Sequence, residues 1–426
     1  MSRQDATRDI AFNRPWVDDS DIERVVDVLR SGWWTTGALT REFEARFADY
    51  IGTSHAVALN SCTAALHVAL VALGVGEGDL VVTSTLTFAA TAEVAVYLGA
   101  IPVLLDAESE TLNLSPAQLR ALLEALASDT PAASLSAAVD GGLLCPGTVR
   151  AIPEGADITS VKALIPVHFA GQACEMGEIG SLAASYGIPI VEDAAHAVET
   201  TYRGQHAGTM GAVGAFSFYA TKNLSTGEGG MATTDNPDLA SRMRSLSLHG
   251  ISKDAWKRYT ASGSWRYDIT EPGFKYNMTD VSAALGVGQL GRIEALHERR
   301  ERIVEAYNAR LSGMPGLTLP QNVTDGTHAW HLFVVRVVSD GTPRRRDAVI
   351  EDLRQQGVGT SVHFIPLHLH SYYEGRFGYQ SGDFPVAEHA FNEIMSLPLY
   401  PSLNDDEVAG VATALASALQ RVGQRV

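Results

Sequence analysis

The sequence predicts an α/β fold: a mainly parallel, doubly wound sheet with helices on both faces, followed by a smaller C-terminal α+β unit. Two observations predict it. Between residues 55 and 191, short apolar runs alternate with longer amphipathic stretches, which is the signature of repeated strand–helix units. Polar and aromatic residues then gather just past the ends of those runs, at Ser61 to Thr63, Phe88 and Asp106. In such sheets the carboxyl ends of the strands are where ligands sit. The chain divides into a large unit, 1–275, with an insertion at about 128–161, and a second unit, 276–426, made of a long connecting helix and a small domain.

In chain order, Asp18 or Asp19 caps an amphipathic helix from Asp21 to Arg30, which Gly32 closes. The loop Trp33-Trp34-Thr35-Thr36-Gly37 leads into a helix from Leu39 to Tyr50. One tryptophan reads as core filler; the other, with Thr35 and Thr36, reads as a pocket wall. His55 to Leu59 is a strand, and Asn60-Ser61-Cys62-Thr63 opens a helix to Leu73. A helix start carrying hydroxyls attracts an anion through free N–H groups and the helix dipole, although Ser61 reads equally well as a plain N-cap. Leu80 to Ser84 is a strand, Thr87-Phe88 opens a helix to Leu98, and Ile101 to Leu105 is a strand. Residues 128–161, rich in Ala, Ser, Gly and Pro, read as a surface excursion. The sheet resumes with Ala163 to His168, a helix from Glu175 to Tyr186, and a strand from Ile188 to Val191.

That strand delivers Glu192-Asp193-Ala194-Ala195-His196. A carboxylate at a buried strand end needs a partner, and a protonated ring nitrogen would serve; a helix-capping aspartate is the plainer alternative. Next comes the stretch Ala215-Phe-Ser-Phe-Tyr-Ala-Thr-Lys-Asn-Leu-Ser-Thr-Gly-Glu-Gly-Gly230, two short strands around a glycine-rich turn. Lys222 sits there among small, hydroxylic and apolar residues. Partial desolvation disfavours its charged form and leaves a nucleophilic amine able to condense with an aldehyde. Ser217 is a donor for a phosphate oxygen. A surface lysine on a hairpin is the alternative.

Beyond this, Pro237 to Ser247 is helical and 249–274 is a polar, aromatic loop with Trp256, Tyr259, Trp265 and Tyr267. A long helix runs from Asp280 to Leu311. The remainder reads as strand His331 to Val338, helix Arg344 to Gln356, an extended Thr360 to Ile365, and helices Val386 to Ile394 and Asp405 to Val422.

Composition removes several classes. With 32 Lys+Arg against 49 Asp+Glu the net charge is −17, which argues against nucleic acid as a partner. No apolar run is long enough to span a membrane, and MSRQDATRDI lacks the apolar core of a signal peptide. Cys62, Cys145 and Cys174 are too few and too scattered for a disulfide framework or a zinc site, and suit a reducing cytoplasm. Gly74 to Asp79 follows a helix and so terminates one. No Gly-Lys-Ser/Thr accompanies the glycines at 227–230, so they form no P-loop. His363, His368 and His370 are interrupted by Pro366 and lack an acidic ligand at useful spacing, so no metal is expected.

Lys222, Asp193, Ser61 to Thr63, Phe88 and Ser217 together ask for a ligand with an aldehyde, a pyridine nitrogen, a phosphate and a flat face. Pyridoxal 5′-phosphate (PLP) has all four. Here the chain resembles the DegT/StrS-type PLP-dependent sugar aminotransferases of the fold-type-I aminotransferase superfamily. The resemblance runs from about residue 12 to the end, outside 128–161. It is carried by SGWWTTG, NSCTAALH, TFAAT, EDAAHAV, FSFYATKNLSTGEGG, GFKYNMTD and VHFIPLHLH.

The resemblance implies the PLP-dependent transferase fold type I. It makes Lys222 the lysine that binds the cofactor's aldehyde and shuttles the proton, and Asp193 the partner of the pyridine nitrogen. It has Phe88 stack on the ring, while the Cys62 backbone, Ser61, Thr63 and Ser217 hold the phosphate. His196 stands near the phenolic oxygen, where the family often has Gln. Asn277 reaches the phosphate of the neighbouring subunit, which implies a homodimer with shared sites. Trp34, Thr36, Lys275, His331 and His363 fall on the substrate side, and Lys253, Lys257 and Arg258 are further basic groups for a diphosphate. The implied reaction passes an amino group from L-glutamate to a keto sugar on a nucleoside diphosphate, with GFKYNMTD closer to the branch that aminates C4. A sugar dehydratase of the same family, which has His in place of the lysine, and a non-catalytic PLP- or sugar-binding regulator are the competing readings.

Overall fold

The computed structural model describes residues 9–251, 267–321, 325–339 and 341–423. Two helices come first, α1 (Asp19–Ser31) and α2 (Ala38–Ile51). Asp18 is the cap of α1: its carboxylate accepts from the Asp21 N–H while the Asp21 carboxylate accepts from the Asp18 N–H, and Gly32 ends the helix at φ 75°. The alternating segment follows as β1 (His55–Leu59), α3 (Cys62–Leu73), β2 (Leu80–Ser84), α4 (Ala90–Val96), β3 (Ile101–Leu105), α5 (Pro116–Leu126), α6 (Pro131–Asp140), α7 (Pro146–Arg150), β4 (Val161–Ile165), α8 (Met176–Ser185) and β5 (Val191–Asp193). A two-stranded ribbon, β6 (Thr201–Tyr202) and β7 (Gln205–His206), precedes β8 (Val213–Ser217) and β9 (Gly230–Thr234).

The strands β3-β2-β4 are parallel, and a second sheet runs β1-β9-β8-β5. Single parallel bridges, Leu164 to Ile190 and Val167 to Asp193, join β4 to β5. The result is one mainly parallel sheet in which β9 runs against both its neighbours. Helices cover both faces, so β2, β8 and β9 are buried at every position.

The rest of the chain is α9 (Pro237–Leu246), α10 (Asp280–Leu290), α11 (Ile293–Leu311), β10 (Leu317–Thr318), β11 (Phe333–Val337), α12 (Arg344–Gln355), α13 (Ser371–Phe377), α14 (Pro385–Glu393), β12 (Ile394–Leu397) and α15 (Asp405–Gly423). The strands β10-β11-β12 form an antiparallel sheet whose core includes Phe333, Val335, Met395 and Leu415.

Several expectations are corrected. The 128–161 stretch is not an irregular excursion. Pro131 and Pro146 start α6 and α7, where a missing N–H costs nothing, and Leu135, Ala138 and Leu144 are buried in the core with α5. Its alanines are helix formers. The long helix breaks between α10 and α11, where Arg292 leaves helical geometry; its guanidinium pairs with Asp18 and Asp21 and lies 5.2 Å from the Trp16 ring. The strand expected to end at Val191 begins there, so Asp193 is itself the last residue of β5. Helix α4 starts at Ala90, leaving Thr87 and Phe88 ahead of it. Ile394 opens β12, which pairs with β11; among the described residues the extended Thr360 to Ile365 makes only the bridge Ser361 to Ser396. Trp256, Tyr259, Trp265, Lys253, Lys257 and Arg258 lie outside the described residues.

Candidate active site

Strand alternation decides which way the Phe-Ser-Phe run of β8 points. Phe216 is buried with its ring centroid 5.0 Å from that of Phe47, and Phe218 packs on Phe43 and Phe47. Ser217, between them, faces the other way, into a cavity of about 400 Å³. Beyond it the chain makes a tight turn. The N–H groups of Phe218, Thr226 and Lys222 donate to the carbonyls of Gly229, Phe218 and Tyr219 at 2.9, 2.9 and 2.8 Å. This seats Lys222 on the cavity wall. Burial pulls its amine down to about 8, with Cys62 and Asp193 pulling the other way.

Asp193 closes β5 on the same cavity. Its Oδ2 accepts from Thr91 Oγ1 at 2.7 Å and its Oδ1 from the Ala195 N–H at 3.1 Å. Burial pushes this carboxyl above the usual range, opposed by those donors and by Lys222. Neighbouring Glu192 points to the other face of the sheet. There it accepts from the N–H groups of Gly208, Met210 and Gly211 and lies 3.0 Å from His168 Nε2.

The start of α3 forms the third wall. Ser61 Oγ accepts from the Ala64 N–H at 3.0 Å, so the plain N-cap is real. The first N–H groups of the helix, Cys62 and Thr63, have no intrahelical acceptor. Gly230 lets β9 press against this turn: a Cβ there would lie 2.3 Å from the Ser61 carbonyl. Burial pushes the Cys62 thiol well up, so the residue offers its backbone and a neutral S–H.

Ser61, Cys62, Thr63, Phe88, Asp193, His196, Ser217, Lys222, His331 and His363 all line the one cavity. Phe88 keeps 62% of its surface exposed, which leaves a ring face free for stacking. His196 and His331 are buried and their pKa values lie well below the usual histidine value; burial pulls His363 to about 4. The structure does not bring Trp34, Thr36, Lys275 and Asn277 to this cavity of the same chain. Thr36, Lys275 and Asn277 form a separate cluster. Asn277 Nδ2 donates to Thr36 Oγ1 at 2.7 Å, Lys275 Nζ donates to Asn277 Oδ1, and Thr36 Oγ1 donates to the Met278 carbonyl. Asn277 bridges to Leu59 at the end of β1, beside the start of α3. Trp34 is exposed, its indole N–H donating to the Leu29 carbonyl.

Sequence reasoning missed Thr91, Phe364 and Glu228 on the cavity wall. A signal for Thr91 existed: Thr87 and Thr91 are four apart, the spacing of neighbours on one helical face.

The sequence model of the DegT/DnrJ/EryC1/StrS aminotransferase family matches residues 15–416. This chain belongs to that family. An uncharacterised protein of Methanocaldococcus jannaschii is 44% identical over 402 residues, 94% of this chain and 95% of its own length. The spore coat polysaccharide biosynthesis protein SpsC of Bacillus subtilis is 44% identical over 407 residues, 95% of this chain and 96% of its own. Among solved structures, the PLP form of Spr1654 from Streptococcus pneumoniae, described as a proposed sugar aminotransferase, superposes with a TM-score of 0.83. It is 32% identical and covers 97% of this chain and 100% of its own. As a member of this sugar aminotransferase family the protein is a PLP-dependent aminotransferase of fold type I. The cavity fits the cofactor by its donor set: an amine with lowered pKa, a buried carboxylate, and hydroxyls with free N–H groups at a helix start. Among the described residues no helix is long and apolar enough to cross a membrane, and no group of three or more His, Cys, Asp or Glu side chains is arranged to hold a metal.

Proposed function

We propose that the protein transfers the amino group of L-glutamate to a keto sugar carried on a nucleoside diphosphate, at C4 of a 4-keto-6-deoxyhexose or a related sugar, in the cytoplasm. The amino sugar would feed polysaccharide or glycoside assembly, in keeping with the likeness to SpsC. The observation that carries this reading is Lys222 and Asp193 facing one cavity that also holds the start of α3. A dehydratase of the same family is disfavoured by the lysine at 222. A purely regulatory protein has no use for a buried carboxylate opposite that lysine.

Bound there, PLP supplies an aldehyde for the amine and a pyridinium ring that withdraws electrons from the reacting carbon. Lys222 provides the attacking amine, and with a pKa of about 8 its Nζ both takes and gives a proton near neutral pH. Asp193, held by Thr91 and the Ala195 N–H, has lone pairs left that would face the ring nitrogen and keep it protonated. Ser61, Thr63, Ser217 and the Cys62 N–H would hold the phosphate, Phe88 would stack on the ring, and His196 would stand near its phenolic oxygen. His331 and His363 line the substrate side.

We further infer a homodimer with shared sites, in which Asn277, with Thr36 and Lys275 around it, serves the cavity of the partner, and exposed Trp34 lies on the substrate side. A large cofactor-binding unit through 275 and a smaller C-terminal unit complete this reading. The test is direct. Purified protein with bound PLP is mixed with L-glutamate and the cofactor spectrum is followed, then nucleotide-linked keto sugars are supplied and the product is located by NMR. No spectral conversion by glutamate would end the aminotransfer reading; amination at C3 would end the C4 assignment.

A further inference from the structure

Behind His331 on the cavity wall lies a buried polar chain through Asn223 and Glu199 to which the proposed chemistry gives no role. Asn223, next to Lys222, is buried, as are Glu199 and His331. Asn223 Nδ2 lies 3.1 and 2.9 Å from the two carboxylate oxygens of Glu199 and 2.7 Å from the Ala329 carbonyl. Asn223 Oδ1 lies 3.2 Å from His331 Nδ1.

These contacts fix the Asn223 amide orientation and the hydrogen on His331. A backbone carbonyl only accepts, so the amide end facing Ala329 must be the NH₂ group, whatever the state of Glu199. Oδ1 is then the acceptor on the other side. His331 must therefore carry a hydrogen on Nδ1, and in the neutral ring its Nε2 bears a lone pair. Among the described residues that Nε2 has no partner, and it is not a buried orphan, so it reaches the cavity that His331 lines. His196 is set the opposite way. Its Nδ1 accepts from the Ala170 N–H at 3.2 Å, which leaves the hydrogen on Nε2. The two rings lie 4.4 Å apart.

We propose that Asn223, anchored by Glu199 and the Ala329 carbonyl, is a positioning residue that locks His331 with its hydrogen on Nδ1, so that Nε2 accepts a hydrogen bond from a hydroxyl of the sugar. A lone pair in that place attracts a hydroxyl or an amine and repels a carboxylate oxygen. The wall at His331 thus favours the sugar over the carboxylates of the amino donor, while His196 beside it donates. The identity of the hydroxyl rests on the sugar aminotransferase reading; the hydrogen placement does not.

The test uses full-length holoenzyme with ring-labelled histidine, the His331 signal being identified by its loss in His331→Gln. The ring carbon shifts of wild type should report the Nδ1–H form. Asn223→Ala should move that signal toward the Nε2–H form and raise KM for the keto sugar about tenfold, the effect of one hydrogen bond, with a smaller change for glutamate. Glu199→Gln should keep the Nδ1–H form, because the Ala329 carbonyl still orients the amide. A wild-type signal of the Nε2–H form, an unmoved signal in Asn223→Ala, or its loss in Glu199→Gln would each overturn the proposal. Should Asn223→Ala fail to fold, the wild-type and Glu199→Gln spectra still decide. Failure of glutamate to convert the wild-type cofactor would remove the sugar but leave the hydrogen placement standing.

Discussion

Thr91 Oγ1 donates a 2.7 Å hydrogen bond to Asp193 Oδ2, tying the first turn of α4 to the end of β5 across 102 positions of chain. Thr87 Oγ1 lies 2.8 Å from Thr91 Oγ1. Because Thr91 gives its hydrogen to the carboxylate, Thr87 is the donor in that second bond. The pair, together with the Ala195 N–H on Oδ1, aims the buried carboxylate. Thr91→Val, which keeps the shape and removes the hydroxyl, should slow the glutamate half-reaction about tenfold, equivalent to roughly 1.5 kcal/mol for a hydrogen bond to a charged group. Stopped-flow absorbance of the cofactor measures it. A rate equal to wild type would reduce Thr91 to packing.

Removing the charge at Asp193 should cost far more. Asp193→Asn is expected to retain some cofactor and lose about a thousandfold in rate, roughly 4 kcal/mol of transition-state stabilisation. A neutral amide cannot hold a ring nitrogen protonated in a poorly solvated site. Activity within about threefold of wild type would leave Asp193 as a structural cap.

Lys222→Ala should bind PLP without a covalent link and show no conversion by glutamate, since both the attacking amine and the proton carrier are gone. Borohydride treatment followed by mass analysis separates the cases: wild type gains the mass of the cofactor on the peptide containing Lys222, and the variant gains none. A labelled peptide elsewhere would move the assignment.

The lowered pKa of Lys222 sets a pH dependence. Its neutral form is the one that attacks an aldehyde, and that fraction grows as pH rises through about 8. Covalent loading of cofactor-free protein should therefore speed up about tenfold per pH unit below that point and level off above it. A plateau reached only near the ordinary lysine value would show that burial does not tune the amine.

The shared-site proposal is tested by complementation. Two inactive homodimers, Lys222→Ala and Asn277→Asp, are unfolded together in equal amounts and refolded. If Lys222 of one chain and Asn277 of the other build one site, each mixed dimer holds one site with both defects and one with neither. Random pairing makes about half the dimers mixed, so roughly a quarter of all sites should recover under two-fold symmetry. If both residues serve their own chain, every site keeps a defect and no activity returns.

The sequence by itself determined the alternation of strands and helices, the lysine in its glycine-rich turn, the hydroxyls at the start of α3 and the aspartate at a strand end. These are local: the strand period, helix capping and desolvation by immediate neighbours are all written in adjacent residues. The direction of Ser217 is local too: in the structure it faces the cavity because strand alternation turns it away from Phe216 and Phe218. What the tertiary structure decided is long-range. Thr91 reaches Asp193, and Asn223 reaches Glu199, because parallel strands bring distant segments to one sheet end, while the segment before β11 brings Asn223 its partner His331, whose N–H donates to the Ala170 carbonyl. Arg292 breaks the expected long helix because Asp18 and Asp21, far away in sequence, capture its guanidinium. Ile394 leaves a helical pattern for β12 because β11 offers it an unpaired edge. In each case the local preference was weak and a contact made only in the fold outweighed it.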